Sequence, residues 1–364
     1  MSYSHQPKTS AFSEIPVIDI AGLYSSDLIE RQQVAEQLAW ASSEIGFLYI
    51  SGHKISDSRI EALKLAAKAF FDQPLETKMQ SYIGQSSNHS GYVPEGEEQF
   101  YSSALDPAKV DHKEAYDLGF ELTEPAYQRP MLGANQWPSN NQPFKSAVQD
   151  YYADALDLGR TLFRGFALAL GLPEDTFESQ CIRPPSQLRL VHYPYDDSAT
   201  DREGIGAHTD YECFTLLLPT ADGLEVLNGD GEWIDAPVKP GCFVVNIGDM
   251  LEVLSNGRFV ATSHRVRKMK EERYSFPLFC ALDYDTQIEP ILPPLENADP
   301  DKYQPLICGE HLYAQTIQTF KYFKERMAKG EVELPKSAQG LASFGQYKTV
   351  LDSQPEASQS KAES

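Results

Sequence analysis

Gly206-Ala207-His208-Thr209-Asp210-Tyr211 runs on into Glu212-Cys213-Phe214-Thr215-Leu216-Leu217-Leu218, ending in residues that favour extended backbone. Read as one strand, the stretch alternates faces, so His208 and Asp210 point the same way. The text around it has the same character. Leu188–Tyr193, Gly223–Leu227, Glu232–Ala236, Cys242–Ile247, Phe259–Val266, Tyr274–Leu282 and Gln287–Leu292 are short apolar or alternating runs separated by Gly, Pro, Asn or Asp. With the His208 segment they make eight short strands, the pattern of a jelly roll or double-stranded β-helix. The chain is therefore expected to be mainly β with flanking helices.

Outward from this core, the periodicity changes. Pro184-Pro185 marks a switch from helical to strand spacing, which starts the core at residue 186 and carries it to about 295. Before it, Val148, Tyr151, Tyr152, Ala155, Leu158, Leu162 and Phe166 recur at helical spacing and predict one long supporting helix within 144–185. Residues 14–143 hold a short strand at Ile15–Ile20, a helix to about Ile45 that Gly46 stops, a second strand, and a helix over 57–71. A loop-rich stretch over 82–112 and a Pro- and Asn-rich connection follow. After the core, 296–350 contains a predicted helix near 309–329, and the polar tail 351–364 reads as disordered.

A second imidazole stands 54 residues after Asp210, in Arg258-Phe-Val-Ala-Thr-Ser-His264-Arg-Val-Arg267. From a neighbouring strand, His264 would join His208 and Asp210 on one face of a metal ion and leave the opposite positions open. Two His and one carboxylate in that arrangement are the ligand set of non-haem Fe(II) oxygenases. Nine residues later, Arg273 and Ser275 share a strand face, and a guanidinium beside a hydroxyl makes a clamp for a carboxylate.

In this order the motifs resemble the Fe(II)- and 2-oxoglutarate-dependent dioxygenases of the isopenicillin N synthase-like family. Further text agrees: Gly204–Asp210, Gly223–Leu227, Trp233–Pro237, Pro240–Met250, Asn256-Gly-Arg258, Ile15–Ile20 and Gly46–His53. The resemblance covers about residues 14–330. It implies that His208, Asp210 and His264 hold Fe(2+), and that Arg273, Ser275 and Tyr193 hold the far carboxylate of 2-oxoglutarate as cosubstrate. It further implies that O2 oxidises a small molecule by hydroxylation, desaturation or ring closure as succinate and CO2 are released. Where the family pattern reads Asn-x-Tyr-Pro, this chain reads Val191-His192-Tyr193-Pro194, keeping the Tyr and losing the Asn. Arg-x-Ser also occurs in relatives that use no 2-oxoglutarate, such as isopenicillin N synthase itself, so an iron oxidase of that kind is the alternative. A non-catalytic small-molecule-binding module is the reading from another class; both His residues and the Asp are retained here, which argues against it.

The whole chain sets the outer bounds. With 364 residues, 41% hydrophobic, it can bury a large core. A net charge of -22 argues against nucleic-acid and anionic-membrane partners, and no apolar run is long enough for a membrane span. Five Cys with no CxxC motif read as free thiols in a reducing compartment. The expectation is a cytoplasmic monomer acting on a small molecule. Tyr92, Phe100, Tyr211, Phe214 and Phe276 are the candidate substrate contacts, predicting a fairly apolar pocket.

Overall fold

The computed structural model describes residues 9–98, 113–122, 124, 127–195, 203–267, 270–296, 298–300 and 302–338. Phe100 and the tail 351–364 lie outside these residues.

Two sheets of unequal size form the β core, antiparallel throughout except for the parallel β1–β2 pair at one edge of the larger. Its strands are β1 (Val17–Asp19), β2 (Phe47–Ser51), β3 (Gly91–Val93), β4 (Glu114–Leu118), β5 (Gln187–Tyr193), β6 (Glu203–His208), β7 (Phe214–Pro219), β8 (Leu224–Leu227), β9 (Trp233–Asp235), β10 (Phe243–Ile247), β11 (His264–Arg267) and β12 (Arg273–Cys280). Among the described residues the larger sheet has the order β1-β2-β10-β7-β12-β5-β4-β3 and the smaller β6-β11-β8-β9. This is the jelly roll expected from the strand pattern, except that the predicted Gln287–Leu292 strand supplies only Gln287–Ile288, which pairs with Leu306–Ile307 outside both sheets. Strands from the amino-terminal third extend both edges of the larger sheet: β2 pairs with β10, and β4 with β5.

One face of the larger sheet packs on the long helix α3 (Gln142–Ala169), which follows the helices α1 (Leu28–Glu44) and α2 (Asp57–Phe71). Asn141 caps α3 by accepting from the Phe144 N–H at 3.2 Å. Phe163 and Phe166 of α3 reach Phe214 on β7, with ring centroids 4.8 and 5.1 Å apart. Alternation then assigns the two faces. On β12, Arg273, Ser275, Pro277 and Phe279 line the cavity inside the roll, while Tyr274, Phe276 and Leu278 belong to the apolar core shared with α3.

Three further features differ from expectation. The His208 segment is two strands: β6 ends at His208 and β7 begins at Phe214, with Asp210 in the turn between them. A short helix, α4 (Asp249–Leu254), follows β10 where the sequence showed no helix. The predicted carboxy-terminal helix is two helices, α5 (Cys308–Thr319) and α6 (Lys321–Ala328), broken at Phe320 with φ −89° and ψ 133°. The break has a physical reason. Extended at that point, Phe320 bridges to Glu98, and Lys321 N–H donates to Glu97 O at 2.9 Å.

Candidate active site

The smaller sheet brings the two histidines together. His264 on β11 lies directly opposite His208 on β6, with ring centroids 4.3 Å apart. The β6–β11 register shifts just after His264, an irregularity of the kind that re-aims a side chain. Asp210 Oδ1 lies 3.5 Å from His208 Nε2 and 3.7 Å from His264 Nε2. One ligand atom from each residue falls within 4.8 Å of the others.

The ring orientations suit metal binding. His208 Nδ1 is 2.9 Å from Gly206 O and His264 Nδ1 is 3.3 Å from Thr262 O. A carbonyl can only accept, so Nδ1 carries a proton in each ring, and in the neutral form this leaves Nε2 as the atom available to a metal. Burial, reinforced by the neighbouring His208, lowers the His264 pKa to about 4, so the ring is neutral. Burial alone would raise the Asp210 carboxyl, but His264, His208 and Thr215 hold it well below the usual carboxylate range. Burial lowers the His208 pKa, but the Asp210 carboxylate outweighs it and raises the ring above its ordinary value, a proton that a bound metal would displace. Two imidazoles and one carboxylate, buried together, are the donor set that suits Fe(II).

Asp210 reaches this position from a turn and not from a strand face, which corrects the period-2 argument. Its Oδ2 accepts from Thr215 Oγ1 at 2.5 Å and from Asn246 Nδ2 at 2.7 Å, so Oδ1 faces the two imidazoles. The turn is clamped from behind by the start of α4. Asp249 N–H donates to Asp210 O at 2.8 Å, and Gly248 N–H to Cys213 O at 2.9 Å. A Cβ on Gly248 would stand 2.2 Å from Glu212 O, so only glycine permits this approach. Asn246-Ile247-Gly248-Asp249 therefore sets the carboxylate, a role its sequence did not reveal.

At one end of the cavity lies the expected clamp. Arg273, Ser275 and Tyr193 all line it, with Leu217, Leu224 and Val266. Arg273 is 2% exposed, and its Cζ lies 4.9 Å from the centre of the Tyr193 ring. Its Nε donates to Ala221 O at 3.2 Å, while Nη1 is buried without a hydrogen-bond partner among the described residues. A buried guanidinium with an unsatisfied N–H calls for an anion. The site thus fits the carboxylate of a ketoacid as well as it fits the metal.

The opposite end is more polar than the sequence suggested. Glu98, Lys113, Gln187, Arg189, Gln315, Thr316 and Thr319 line it beside Tyr211, Phe279 and Phe320. Of the candidate substrate contacts, Tyr211 is on the wall. Tyr92 is not: it is 2% exposed, bonds Glu114 at 2.5 Å and packs on Phe70. Phe214 faces α3, and Phe276 lies in the core beside Tyr274, because both occupy the outward phase of their strands. The alternation that pairs Arg273 with Ser275 already excludes Phe276 and admits Phe279. Glu98, Lys113 and Arg189 come from three distant segments, and no local signal joins them.

Comparison with known proteins agrees with this geometry. Residues 15–140 match the family described as non-haem dioxygenase in morphine synthesis N-terminal, and residues 184–282 match the 2OG-Fe(II) oxygenase superfamily. The homoarginine-6-hydroxylase of Oryza sativa subsp. japonica is 35% identical over 333 residues, covering 85% of this chain and 99% of that protein. A 2-oxoglutarate-Fe(II) type oxidoreductase of Metarhizium rileyi is 33% identical over 73% of this chain and 77% of its own length. Among solved structures, a Caulobacter crescentus 2OG-Fe(II) oxygenase family protein superposes with a TM-score of 0.72 at 32% identity, covering 87% of this chain and 99% of that one. A Neurospora crassa protein crystallised with alpha-KG (2-oxoglutarate) and thymine gives 0.70 at 26% identity, covering 87% and 97%. These relatives favour the 2-oxoglutarate-dependent reading over a 2-oxoglutarate-independent oxidase or a non-catalytic module.

Proposed function

The chain belongs to the isopenicillin N synthase-like 2OG-Fe(II) oxygenases, enzymes that oxidise small organic molecules with Fe(II), 2-oxoglutarate and O2, and from that premise we propose how its own residues divide the work. His208, Asp210 and His264 hold the iron through Nε2, Oδ1 and Nε2. Arg273, Ser275 and Tyr193 hold the far carboxylate of 2-oxoglutarate at the other end of the same cavity. Bound iron supplies the centre at which O2 is reduced as 2-oxoglutarate loses CO2 and becomes succinate.

The chain's residues supply positioning. Thr215 and Asn246 fix which Asp210 oxygen faces inward. Tyr193 stacks on the Arg273 guanidinium and limits its motion. Tyr211, Phe279 and Phe320 wall the remaining space and exclude water from it. The single observation that carries this reading is one cavity holding both the His208–Asp210–His264 cluster and the buried Arg273 guanidinium.

Two relatives suggest the kind of substrate. One is named for homoarginine hydroxylation and the other was crystallised with thymine; both compounds are small and polar. We take the substrate here to be a small polar molecule too. The five free cysteines, four of them buried, support action in the reducing cytoplasm. We read the working unit as a monomer, because one chain supplies every residue assigned to the site.

The test is stoichiometric. Purified protein with Fe(II), O2 and 2-oxoglutarate should form succinate, and iron chelation or Asp210→Ala should abolish it. Succinate formation that survives Asp210→Ala would remove the metal assignment.

A further inference from the structure

The end of the cavity away from the Arg273 clamp is closed by four alternating charges. Arg189 on β5 donates from Nε and Nη2 to Asp117 on β4, at 2.9 and 2.8 Å. Its Nη1 donates to Glu98 Oε1 at 2.8 Å, and Lys113 Nζ lies 2.9 Å from Glu98 Oε2. Asp117 is fully buried, and the other three side chains are 8–12% exposed. Glu98, Lys113 and Arg189 reach the cavity surface. The group lies close to the metal site: Lys113 acts electrostatically on His208, and Glu98 on Tyr211.

Stability alone gives little reason for such a group. Buried ion pairs recover at best about their desolvation cost, and apolar residues of equal volume serve as well. Ligand cavities, by contrast, use a few convergent polar groups to fix orientation. Here the polar groups retain capacity. Arg189 has five N–H donors, and among the described residues its bonds to Asp117 and Glu98 use three. The Glu98 oxygens each keep a further lone pair. A donor and an acceptor therefore lie side by side at the wall, and the four formal charges cancel. A ligand with net charge would leave that charge uncompensated.

We propose that Glu98 and Arg189, supported by Lys113, recognise a net-neutral substrate head group in which an N–H donor adjoins an oxygen acceptor. The N–H bonds Glu98 and the oxygen accepts from Arg189. An amino-acid zwitterion and a cyclic imide both present this pair. Phe320, 5.6 Å from the Arg189 guanidinium, covers the contact, and the break between α5 and α6 brings it there. The remainder of the substrate then extends toward the iron. This inference rests on the Fe(II)/2-oxoglutarate reading of the same cavity.

The experiment has two layers. Wild-type protein with Fe(II) and 2-oxoglutarate is first checked anaerobically for the visible band of the chelated ketoacid; its absence would defeat the underlying reading. With the band present, the twenty L-amino acids and a set of cyclic imides including uracil are screened for stimulation of succinate formation. Matched monocarboxylates and primary amines, each carrying only half of the head group, are the controls. At least one zwitterion or imide should stimulate several-fold and the controls should not; which class responds identifies the source of the head group. For the responding compound, Glu98→Gln should raise KM at least tenfold, while its anaerobic 2-oxoglutarate band shows that the iron site has folded. Response to the half-group controls alone, response to no compound, or an unchanged KM in Glu98→Gln would overturn the proposal.

Discussion

Asn246 donates from Nδ2 to Asp210 Oδ2 at 2.7 Å, on the side of the carboxylate turned away from the two histidines. The bond comes from β10, the strand paired with β7 just after the Asp210 turn, where Asn246 lies opposite Thr215. Partners of this kind around a metal ligand typically change metal affinity by about 10- to 100-fold when removed. Asn246→Ala should therefore weaken Fe(II) binding by about that factor, as measured by anaerobic titration, with the fold retained by circular dichroism. Unchanged affinity would mean that Thr215 alone orients the carboxylate.

Gly248 predicts a steric effect at the same turn. Its missing Cβ would press on Glu212 O at 2.2 Å, a backbone atom that cannot move without moving Asp210. Gly248→Ala should cost about 2 kcal/mol of stability by overpacking and should also weaken Fe(II) binding. A thermal melt and a metal titration on the same variant check both; a loss of stability with normal iron affinity would detach Gly248 from the site.

Arg273→Lys keeps the charge but loses the planar fork. A hydrogen bond to a charged group contributes about 1.5–3 kcal/mol, so the variant should bind 2-oxoglutarate about 10- to 100-fold more weakly while retaining iron. Titration of the iron-loaded protein with 2-oxoglutarate measures this.

Phe214 and Phe276 should behave as core residues. Phe214→Leu should lower the melting temperature through lost contacts with Phe163 and Phe166 and leave substrate preference unchanged. Phe279→Leu, on the inward phase of β12, should do the reverse.

Two buried histidines outside the metal cluster predict an acid response. Burial holds His89 neutral down to about 3 and His311 down to about 4, against an ordinary value of 6.5. The unfolded chain takes up these protons below about pH 6.5 and the folded chain does not. Stability is thus full above that pH and falls as the pH drops toward 4, approaching about 1.4 kcal/mol per pH unit for each group. Burial raises the Glu212 carboxyl to about 8, which opposes this slope over the same range. With two histidines against one carboxyl, melting temperatures from pH 7 to pH 5 should still decline, and His89→Gln should flatten the decline. A level profile would contradict this account.

The order His208, Asp210, His264, Arg273, Ser275 was legible because each motif is local and the residue types have few other uses in such a sequence. The jelly roll was legible because short strands carry turn residues between them. Three things were not. Asp210 looked like a strand residue because its flanks favour strands, but the turn depends on Asn246 and Gly248 about forty residues away. The polar cavity end joins Glu98, Lys113, Arg189 and Thr319 through β pairing and the break at Phe320, contacts that no window of sequence contains. Aromatic residues were assigned to the substrate by type, although strand phase already directed Phe276 to the core.

The central claim is that one cavity holds iron through His208, Asp210 and His264 and 2-oxoglutarate through Arg273. The most direct measurement adds Fe(II) and then 2-oxoglutarate to the metal-free protein without oxygen and records the visible spectrum. The account predicts a metal-to-ligand charge-transfer band that saturates at one 2-oxoglutarate per chain, disappears in Asp210→Ala and requires far more 2-oxoglutarate in Arg273→Ala. Iron binding with no band in the wild-type protein, or a band indifferent to Arg273→Ala, would contradict it.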